Sequence, residues 1–357
     1  MPVRPLDGTT LEELVADATA APSMHNAQPW RFRYRPADRT LTLRAEFNRE
    51  MPEADPSTRA LHLGCGAALL NLRVSAAHRG LDAVTTLIPV PVDPGGVATV
   101  RLEECSGDPV QSADAALAAL YPAIRRRHTS RYPFDDRLIP EDVRALLAGA
   151  AGAEGADFAF LQPKHLERVL VLIRNAEDFD LHDPAREAEQ RYWTRNTREE
   201  APVDGVPDYA FGPTDASDRA FNRDFAGTDI IPDRPRVRFE ERPQLALLRT
   251  ARDRAADWLR AGQALERVLL TAVLHGLVAS FATQPLEWSE LRHLLRDPAL
   301  GTGHPQMIVR LGYGPDGPGT PRRPVAEVLT IEPDSCRPRG VHAPPPAAAA
   351  SRATDRK

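Results

Sequence analysis

The pattern of hydrophobic and polar positions predicts helices and strands in a recurring order. Apolar residues at helical spacing predict helices over 11–21, 66–81, 141–151 and 262–277. β-type runs predict strands that end at Phe32 and Phe160, and further strands over 100–102 and 309–311. The longest apolar stretch, 268–282, falls short of the roughly 20 residues that cross a bilayer. It therefore predicts a buried core helix.

Two helical segments are similar to each other. Residues 66–81 align without gaps with 262–277, and both segments open on a glycine and close on Gly-Leu. The closing glycine stands where a helix C-cap is expected. Because the order of helix, turn, helix and strand also recurs, the sequence predicts one α+β unit that occurs twice, in 1–118 and 119–332.

Two segments lie outside this repeat. Residues 180–240, called the insertion below, are polar and rich in Pro and Gly, which is typical of a lid or a binding loop. Residues 333–357 include a Pro- and Ala-rich run that cannot bury a core, and we expect a disordered tail there.

Composition narrows the class of protein. The 42% apolar and 27% charged residues are typical of a folded globular chain, and a net charge of −5 gives no footprint for nucleic acid. Three cysteines without CxxC spacing predict neither a disulfide framework nor a zinc cluster. Since the N-terminus lacks the pattern of a signal peptide, we expect a cytoplasmic, metal-free protein with no membrane segment.

The first motif with chemical content, the carboxamide loop, covers residues 21–30, APSMHNAQPW. It could be a helix end and turn with an aromatic contact. Alternatively, Asn26 and Gln28 offer a donor and an acceptor each, which suits a flat heterocycle edged with carbonyls and ring nitrogens. Proline on both sides stiffens such a loop and removes competing backbone donors.

The second motif, the arginine turn, covers residues 125–131, RRRHTSR. It could be a solvated basic turn between the two units. However, hydroxyl groups beside guanidinium forks are also the chemistry of a phosphate site. A further basic pair, Arg322 and Arg323 in PRRP, could bind the same anion or end a strand.

The chain resembles the nitroreductase family. PSMHNAQPWRF is similar to that family's flavin-contacting loop, and RRRHTSRYPF followed by PEDVRALLAGA is similar to its phosphate signature and first helix. GQALERVLLTAVLHGL, PQMIVRLGYG and PRRP resemble its later helix, strand and basic turn. The motif order resembles the Acg-type FMN-binding oxidoreductase branch, in which two nitroreductase-like units are fused. The implied fold is α+β, duplicated in one chain as a pseudo-dimer with a lid insertion.

The resemblance implies a binding site for FMN. No GxGxxG fingerprint is present, because Gly64-Cys65-Gly66 continues into an Ala-Leu helix that we interpret as closely packed. The cofactor-binding positions carried over are Pro22, Ser23, Asn26, Gln28, Arg127, His128, Thr129, Arg131, Thr283, Gln284, Arg322 and Arg323. Trp193 and Arg195 of the insertion are candidates for the substrate pocket or the lid, or for purely structural contacts.

The halves have kept different motifs. The first half has the carboxamide loop but no arginine turn, whereas the second half has the arginine turn but a short loop at 152–156. Nitroreductases are typically homodimers with flavin at the interface, so this pattern implies one FMN per chain and a monomer that supplies its own interface.

Three functions fit the resemblance. The first is an FMN-dependent oxidoreductase that passes electrons from NAD(P)H to a nitroaromatic, a quinone or a similar electron-poor acceptor. The second is a non-catalytic protein that binds or sequesters FMN beneath the lid. The third is a flavin-dependent biosynthetic dehydrogenase that uses O₂ as its acceptor.

Overall fold

In a computed structural model, the core of the protein consists of two mainly antiparallel sheets, each with a long helix. The structure describes residues 4–88, 95–104, 113–198, 201–216, 223–227, 231, 233–297 and 301–333. Its helices are α1 (Gly8–Ala18), α2 (Arg59–His78), α3 (Ala113–Ala118), α4 (Glu141–Gly152), α5 (Pro163–Leu181), α6 (Pro184–Tyr192), α7 (Ala255–Leu274), α8 (Gln284–Glu287), α9 (Ser289–Arg292) and α10 (Val325–Val328). Its strands are β1 (Trp30–Arg35), β2 (Thr40–Ala45), β3 (Leu81–Leu87), β4 (Gly96–Glu104), β5 (Asp157–Phe160), β6 (Thr194–Arg195), β7 (Val206–Pro207), β8 (Thr214–Asp215), β9 (Arg236–Val237), β10 (Gln244–Thr250), β11 (Val278–Phe281), β12 (His304–Gly312) and β13 (Leu329–Ile331).

The two sheets share one topology. The first has the order β13-β1-β2-β4-β3, and the second, written from its other edge, has the order β5-β10-β12-β11. A helix precedes the first strand of each half (α1 and α4), and a long helix joins the second strand to the third (α2 and α7). The predicted α+β class is confirmed. The last described strand, β13, pairs in parallel with β1, so the chain returns to the first sheet at 329–331.

Two expectations about elements need correction. The apolar stretch 268–282 is not one helix, because α7 ends at Leu274 and Gly276, at φ 71°, turns the chain into β11. The insertion is also less loop-like than expected. Helix α5 continues to Leu181 and buries Val169 and Ile173 against the second sheet, and α6 follows it. The predicted tail lies, beyond residue 333, outside the described residues.

Helices α2 and α7 cross with their backbones in contact. A Cβ atom on Gly66 would lie 2.2 Å from the carbonyl oxygen of Leu259, and one on Gly262 would lie 2.1 Å from that of Leu63. These four residues are matched pairs in the repeat, so the contact has the self-complementary form of a two-fold interface. Leu63 belongs to the core of the second sheet, and Leu259 belongs to the core of the first. The crossing therefore joins the two cores.

The helix ends also follow the repeat. Gly80 and Gly276, which close the two aligned segments, have φ of 72° and 71°, as C-cap glycines require.

Helix α2 is the one described helix long and apolar enough to span a membrane by length and composition, yet 83% of that segment is buried inside the protein. Here it is the core helix of the first half.

We expect Gly66→Ala to destabilise the fold, because the new methyl group would collide with a backbone oxygen on a packed helix. Overpacking of this kind costs about 1–3 kcal/mol. Gly149→Ala is the matched control, since Gly149 lies in α4 with nothing within 4 Å of the added methyl group. It should gain about 0.5–1 kcal/mol from helix propensity. Urea unfolding of both variants measures the difference, and equal stabilities would contradict the close crossing.

Candidate functional site

One cavity lies where the two halves and the insertion meet. Several sequence-predicted residues line it: Pro22, Ser23, Asn26, Arg127, His128, Thr129, Arg131, Thr283 and Arg322. The carboxamide loop and the arginine turn, which are about a hundred residues apart in the chain, thus face the same space. Other lining residues were not predicted: Met24, His25, Arg59, Ala60, Leu63, Gly64, Ala67, Val206, Arg223, Phe225, Leu265, Ser280, Phe281, Glu287, Met307 and Thr320.

The carboxamide loop has a strained backbone. His25, Asn26 and Gln28 have φ of 46°, 56° and 52°, a left-handed conformation that non-glycine residues seldom adopt. The Ser23 hydroxyl oxygen accepts a hydrogen bond from the Gln28 amide at 2.9 Å, which closes the loop on itself. Asn26 Nδ2 donates to the carbonyl of Gly205 in the insertion at 2.9 Å. Strain of this kind persists only where surrounding contacts hold it, and it concentrates at functional sites.

Gln28 and Arg323 do not line the cavity. Gln28 is fully buried, and its Oε1 accepts from the Arg323 amide at 2.8 Å while its Nε2 donates to the carbonyl of Val203 at 2.9 Å. The Arg323 guanidinium pairs with Glu46 at 2.7 Å. Both side chains therefore tie the loop to its neighbours, and neither is available to a ligand in the cavity.

A first cationic centre, formed by Arg127, His128 and Arg322, lies at the cavity wall. Burial, together with repulsion from Arg127, lowers the pKa of Arg322 to about 9. Burial, and then repulsion from Arg127 and from Arg322, lowers the pKa of His128. Arg127 Nε is 3.5 Å from the buried carboxylate of Glu266. Two crowded guanidinium groups beside one buried carboxylate leave an excess of positive charge, and such a site favours an anion.

Backbone carbonyls orient these two arginines. Arg322 donates to the carbonyls of Thr19 at 2.7 Å and Ala20 at 3.0 Å, and to Asn26 Oδ1 at 3.0 Å. Arg127 donates to the Ala20 carbonyl at 3.2 Å. The end of α1 thus holds an arginine from each of two distant segments in one place.

A second cationic centre lies beneath the insertion. It contains Arg131, Arg223 and the buried His25. Burial and the nearby Arg223 lower the pKa of Arg131 to about 10. Burial first, and then both arginines, lower the pKa of His25 well below its usual range, so this imidazole is neutral. The sequence groups Arg131 with Arg127 at one anion, whereas in the structure the charged neighbour of Arg131 is Arg223.

Helix α2 supplies an apolar floor. Ala60, Leu63, Gly64 and Ala67 share one helix face and line the cavity. A Cβ atom on Gly64 would lie 3.2 Å from Cβ of Ser23, so the glycine lets the carboxamide loop pack closely on the helix. Small residues on this face leave a flat surface against which a planar ring can pack.

Two expected cofactor-binding residues follow β11, and only one of them lines the cavity. Thr283 lines the cavity, whereas Gln284 is fully buried and its Nε2 is 3.4 Å from a carboxylate oxygen of Glu177. Gln284 therefore belongs to the packing behind the site.

Trp193 and Arg195 do not reach the cavity. Trp193 is only 4% exposed and packs with Ala27 and Met51 behind the carboxamide loop. Arg195 pairs with Asp204 at 2.7 Å. The expected apolar cover comes instead from Val206 and Phe225. The Trp193 indole was expected there because it stood alone in a polar segment, but an apolar pocket behind the loop buries it.

No group of three or more His, Cys, Asp or Glu side chains in the described part of the chain could hold a metal ion. Cys65 is a free, buried thiol, and burial raises its pKa. Cys105 and Cys336 lie outside the described residues.

Known proteins resemble this chain in sequence and, more distantly, in structure. No family model matches the chain. The Mycobacterium tuberculosis H37Rv protein named "Putative NAD(P)H nitroreductase Rv3131" is 32% identical over 328 residues, which cover 90% of this chain and 92% of that protein. The M. tuberculosis protein named "Putative NAD(P)H nitroreductase acg" is 29% identical over 339 residues, covering 93% and 98%.

Solved structures give more distant similarity. The FMN and NADPH-dependent nitroreductase NfnB from Sphingopyxis sp. strain HMH is 16% identical, with 60% of this chain and 99% of that chain covered and a TM-score of 0.37. A nitroreductase with bound FMN from Bacteroides fragilis is also 16% identical, with 57% and 92% covered and a TM-score of 0.34. At these scores the assignment rests on the sequence relatives alone. On the strength of those relatives, which it matches over nearly its whole length, this chain belongs to the nitroreductase family.

Proposed function

We propose that this protein is an FMN-dependent reductase that takes electrons from NAD(P)H and passes them to a small electron-poor acceptor, such as a nitroaromatic compound or a quinone. The observation that carries the proposal is the single cavity shared by the carboxamide loop and the first cationic centre. The names of the mycobacterial relatives, which are putative NAD(P)H nitroreductases, support the electron donor and the acceptor class, and this chain's resemblance to the Acg-type branch supports FMN.

The residues present fit FMN. The guanidinium groups of Arg127 and Arg322 bring positive charge to the cavity wall, and Thr129 lines the same cavity, which suits a phosphate monoester. The floor of α2 suits a flat tricyclic ring, and the Ser23 hydroxyl group lines the cavity at its edge. The Asn26 carboxamide is bonded to Gly205, Pro321 and Arg322, so its part is to hold the loop in place. When bound, FMN would supply the hydride chemistry, which no side chain in the cavity provides.

The protein's own part is binding, orientation and exclusion of water. The two arginines hold the anionic end, and the α2 floor with Pro22 packs against the ring. Val206 and Phe225 cover the cavity from the insertion side. Preorganised donors in such a site stabilise negative charge on a reduced ring without reorganisation.

The two units form a pseudo-dimer with one surviving site. In the second half, the short loop at 152–156 stands where the first half has the carboxamide loop. Its Glu154 pairs with Arg73 of α2 and Arg267 of α7, each at 2.7 Å. These ion pairs tie the short loop to both long helices, in the place where the first half has the carboxamide loop. One FMN per chain follows from this asymmetry.

The number of FMN molecules bound per chain tests the pseudo-dimer. Because only one half keeps each motif, we expect at most one FMN per chain and a monomer in solution. Flavin absorbance after denaturation, set against protein concentration, measures the ratio, and light scattering gives the mass. Two flavins per chain, or an obligate dimer, would contradict the proposal.

The first cationic centre can be tested by neutralising it. Charge-assisted bonds to phosphate contribute about 1.5–3 kcal/mol each, so Arg127→Gln with Arg322→Gln should weaken FMN binding by roughly two to four orders of magnitude. Arg126→Gln is the matched control, since Arg126 lies in the same arginine turn but is exposed. Fluorescence titration of flavin-free protein measures the affinities. Unchanged binding in the double variant would make this centre structural.

Sequestration of FMN is the second candidate function, because residues of the insertion line the cavity and cover it. The reductase and the sequestering protein differ in whether nicotinamide can reach the flavin ring. For a reductase, mixing FMN-loaded protein with NADPH or NADH without air should bleach the visible flavin absorbance within seconds. Persistence of the colour for hours, with normal bleaching by dithionite, would contradict the reductase and favour sequestration.

A further inference from the structure

A buried carboxylate lies behind the first cationic centre. Glu266 of α7 is fully buried, and in the described part of the chain neither of its carboxylate oxygens has a hydrogen-bond partner. Arg127 Nε lies 3.5 Å from Glu266 Oε1, which is ion-pair distance but too loose for a hydrogen bond. An ionised carboxylate in such a place is costly, because burial removes its water and a loose pair offsets only part of that loss.

The facing helix offers this carboxylate an amide rather than a charge. Asn71 of α2 is also fully buried, and within the described ranges neither atom of its carboxamide has a hydrogen-bond partner. Burial raises the pKa of the Glu266 carboxyl group to about 7, against the opposing effects of Arg127, Asn71 and Arg322. A protonated carboxyl group both donates and accepts, so it can satisfy both ends of a carboxamide, whereas a carboxylate can only accept.

The other half holds its carboxylate differently. Glu154 accepts hydrogen bonds of 2.7 Å from Arg73 and from Arg267, one on each of the crossing helices. In the two aligned segments Arg267 matches Asn71, so the position that supplies an arginine to Glu154 supplies an amide near Glu266. Two close arginines hold the first carboxylate ionised, whereas Glu266 has one loose pair and can change its charge.

A phosphate group at the first cationic centre would act on this balance. Glu266 lies behind Arg127 rather than at the cavity surface, so it can influence a ligand only through that arginine. A phosphate dianion beside Arg127 competes with the carboxylate for the same guanidinium group and disfavours a second negative charge nearby. Protonation of Glu266 removes this competition.

We propose that Glu266 is a positioning residue of the FMN phosphate site, which takes up a proton from solvent when the phosphate binds and thereby releases Arg127 to it. Asn71 holds the neutral carboxyl group between the two crossing helices. This inference rests on the proposed binding of FMN at the first cationic centre, and it makes the affinity for FMN depend on pH.

The direction of this pH dependence follows from the uptake of a proton. FMN affinity should fall as the pH rises above the pKa of the free Glu266 carboxyl group, because the proton must then be taken from a more dilute source. The neighbouring groups do not mimic this effect. His128, whose pKa is lowered, is already neutral there, and Arg322, with a pKa of about 9, keeps most of its charge up to about pH 8. Ionisation of the phosphate itself, with a second pKa of about 6, acts in the opposite direction.

Fluorescence titration of flavin-free, full-length protein tests the coupling, with FMN and riboflavin as probes. FMN should bind about three- to tenfold more weakly at about pH 8 than at about pH 6.5, which is the effect of roughly one unit of pKa. Riboflavin, which lacks the phosphate, should show no such change. Equal FMN affinities at the two pH values would overturn the inference.

Calorimetry measures the proton itself on the wild-type protein. FMN is titrated at about pH 7.5 in Tris and in Hepes, whose heats of ionisation differ, so that a proton taken up on binding changes the observed heat. We expect net uptake with FMN and none with riboflavin. Heats that agree between the two buffers for FMN would contradict the coupling.

Two variants assign the effect to a residue. Glu266→Gln keeps the shape but has no proton to exchange, so its FMN affinity should no longer fall with pH and should exceed that of wild-type protein at about pH 8. Glu154→Gln is the matched control, since it removes a buried carboxylate at the same crossing and should keep the wild-type profile. If Glu266→Gln retains the fall with pH, or weakens FMN equally at both pH values, the carboxylate only orients Arg127 and the inference is wrong.

Failure of this inference and failure of the proposed function are distinguishable. Protein that binds FMN with the same affinity at both pH values refutes only the proton coupling. Protein that binds FMN at neither pH refutes the proposed function together with the inference that rests on it. Since the readout is flavin binding, neither result depends on turnover or on the identity of the acceptor.

Discussion

The close crossing of α2 and α7 is the constraint on which the rest of the molecule depends. At Gly66 and Gly262 the backbone of each helix fills the space that a side chain would need on the other. This contact fixes the distance between the two sheets, because Leu63 and Leu259 extend from it into opposite cores. Dispersion contacts between such closely packed surfaces are individually weak but numerous. A looser crossing would separate the halves and open the space between them.

The site inherits its geometry from this crossing. Helix α2 presents Leu63 and Gly66 to α7, while the adjoining face, with Ala60, Gly64 and Ala67, forms the cavity floor. A helix that serves two partners is buried on nearly all sides, which is why its apolar pattern resembles that of a membrane span. The arginines then reach the cavity from one half and the carboxamide loop from the other.

The sequence predicted the parts of the structure that depend on local pattern. The glycines at 80 and 276 marked helix ends because only a positive φ fits there, and the motifs around Asn26 and Arg127 were recognisable from their chemistry. Contacts between distant segments could not be predicted in this way. Gln28 was expected to face a ligand, yet its carboxamide is hydrogen-bonded to the backbone of Val203 and Arg323, more than 170 residues away. A polar side chain gives the same sequence signal whether it bonds to a ligand or to backbone, so only the fold separates the two cases.

The strain in the carboxamide loop accounts for the asymmetry between the halves. Left-handed φ at His25, Asn26 and Gln28 costs on the order of 1 kcal/mol for each residue. The bonds that offset it come from the other half: Asn26 donates to Gly205, and Gln28 is held by Val203 of the same insertion. The first half has no such insertion, since β1 and β2 are joined by residues 36–39 alone. A similar loop at 152–156 would lack that support from its partner, and a short turn closed by the ion pairs of Glu154 is the stable alternative. The insertion, present in only one half, therefore accounts for a strained loop in the first half and a short turn at 152–156 in the second.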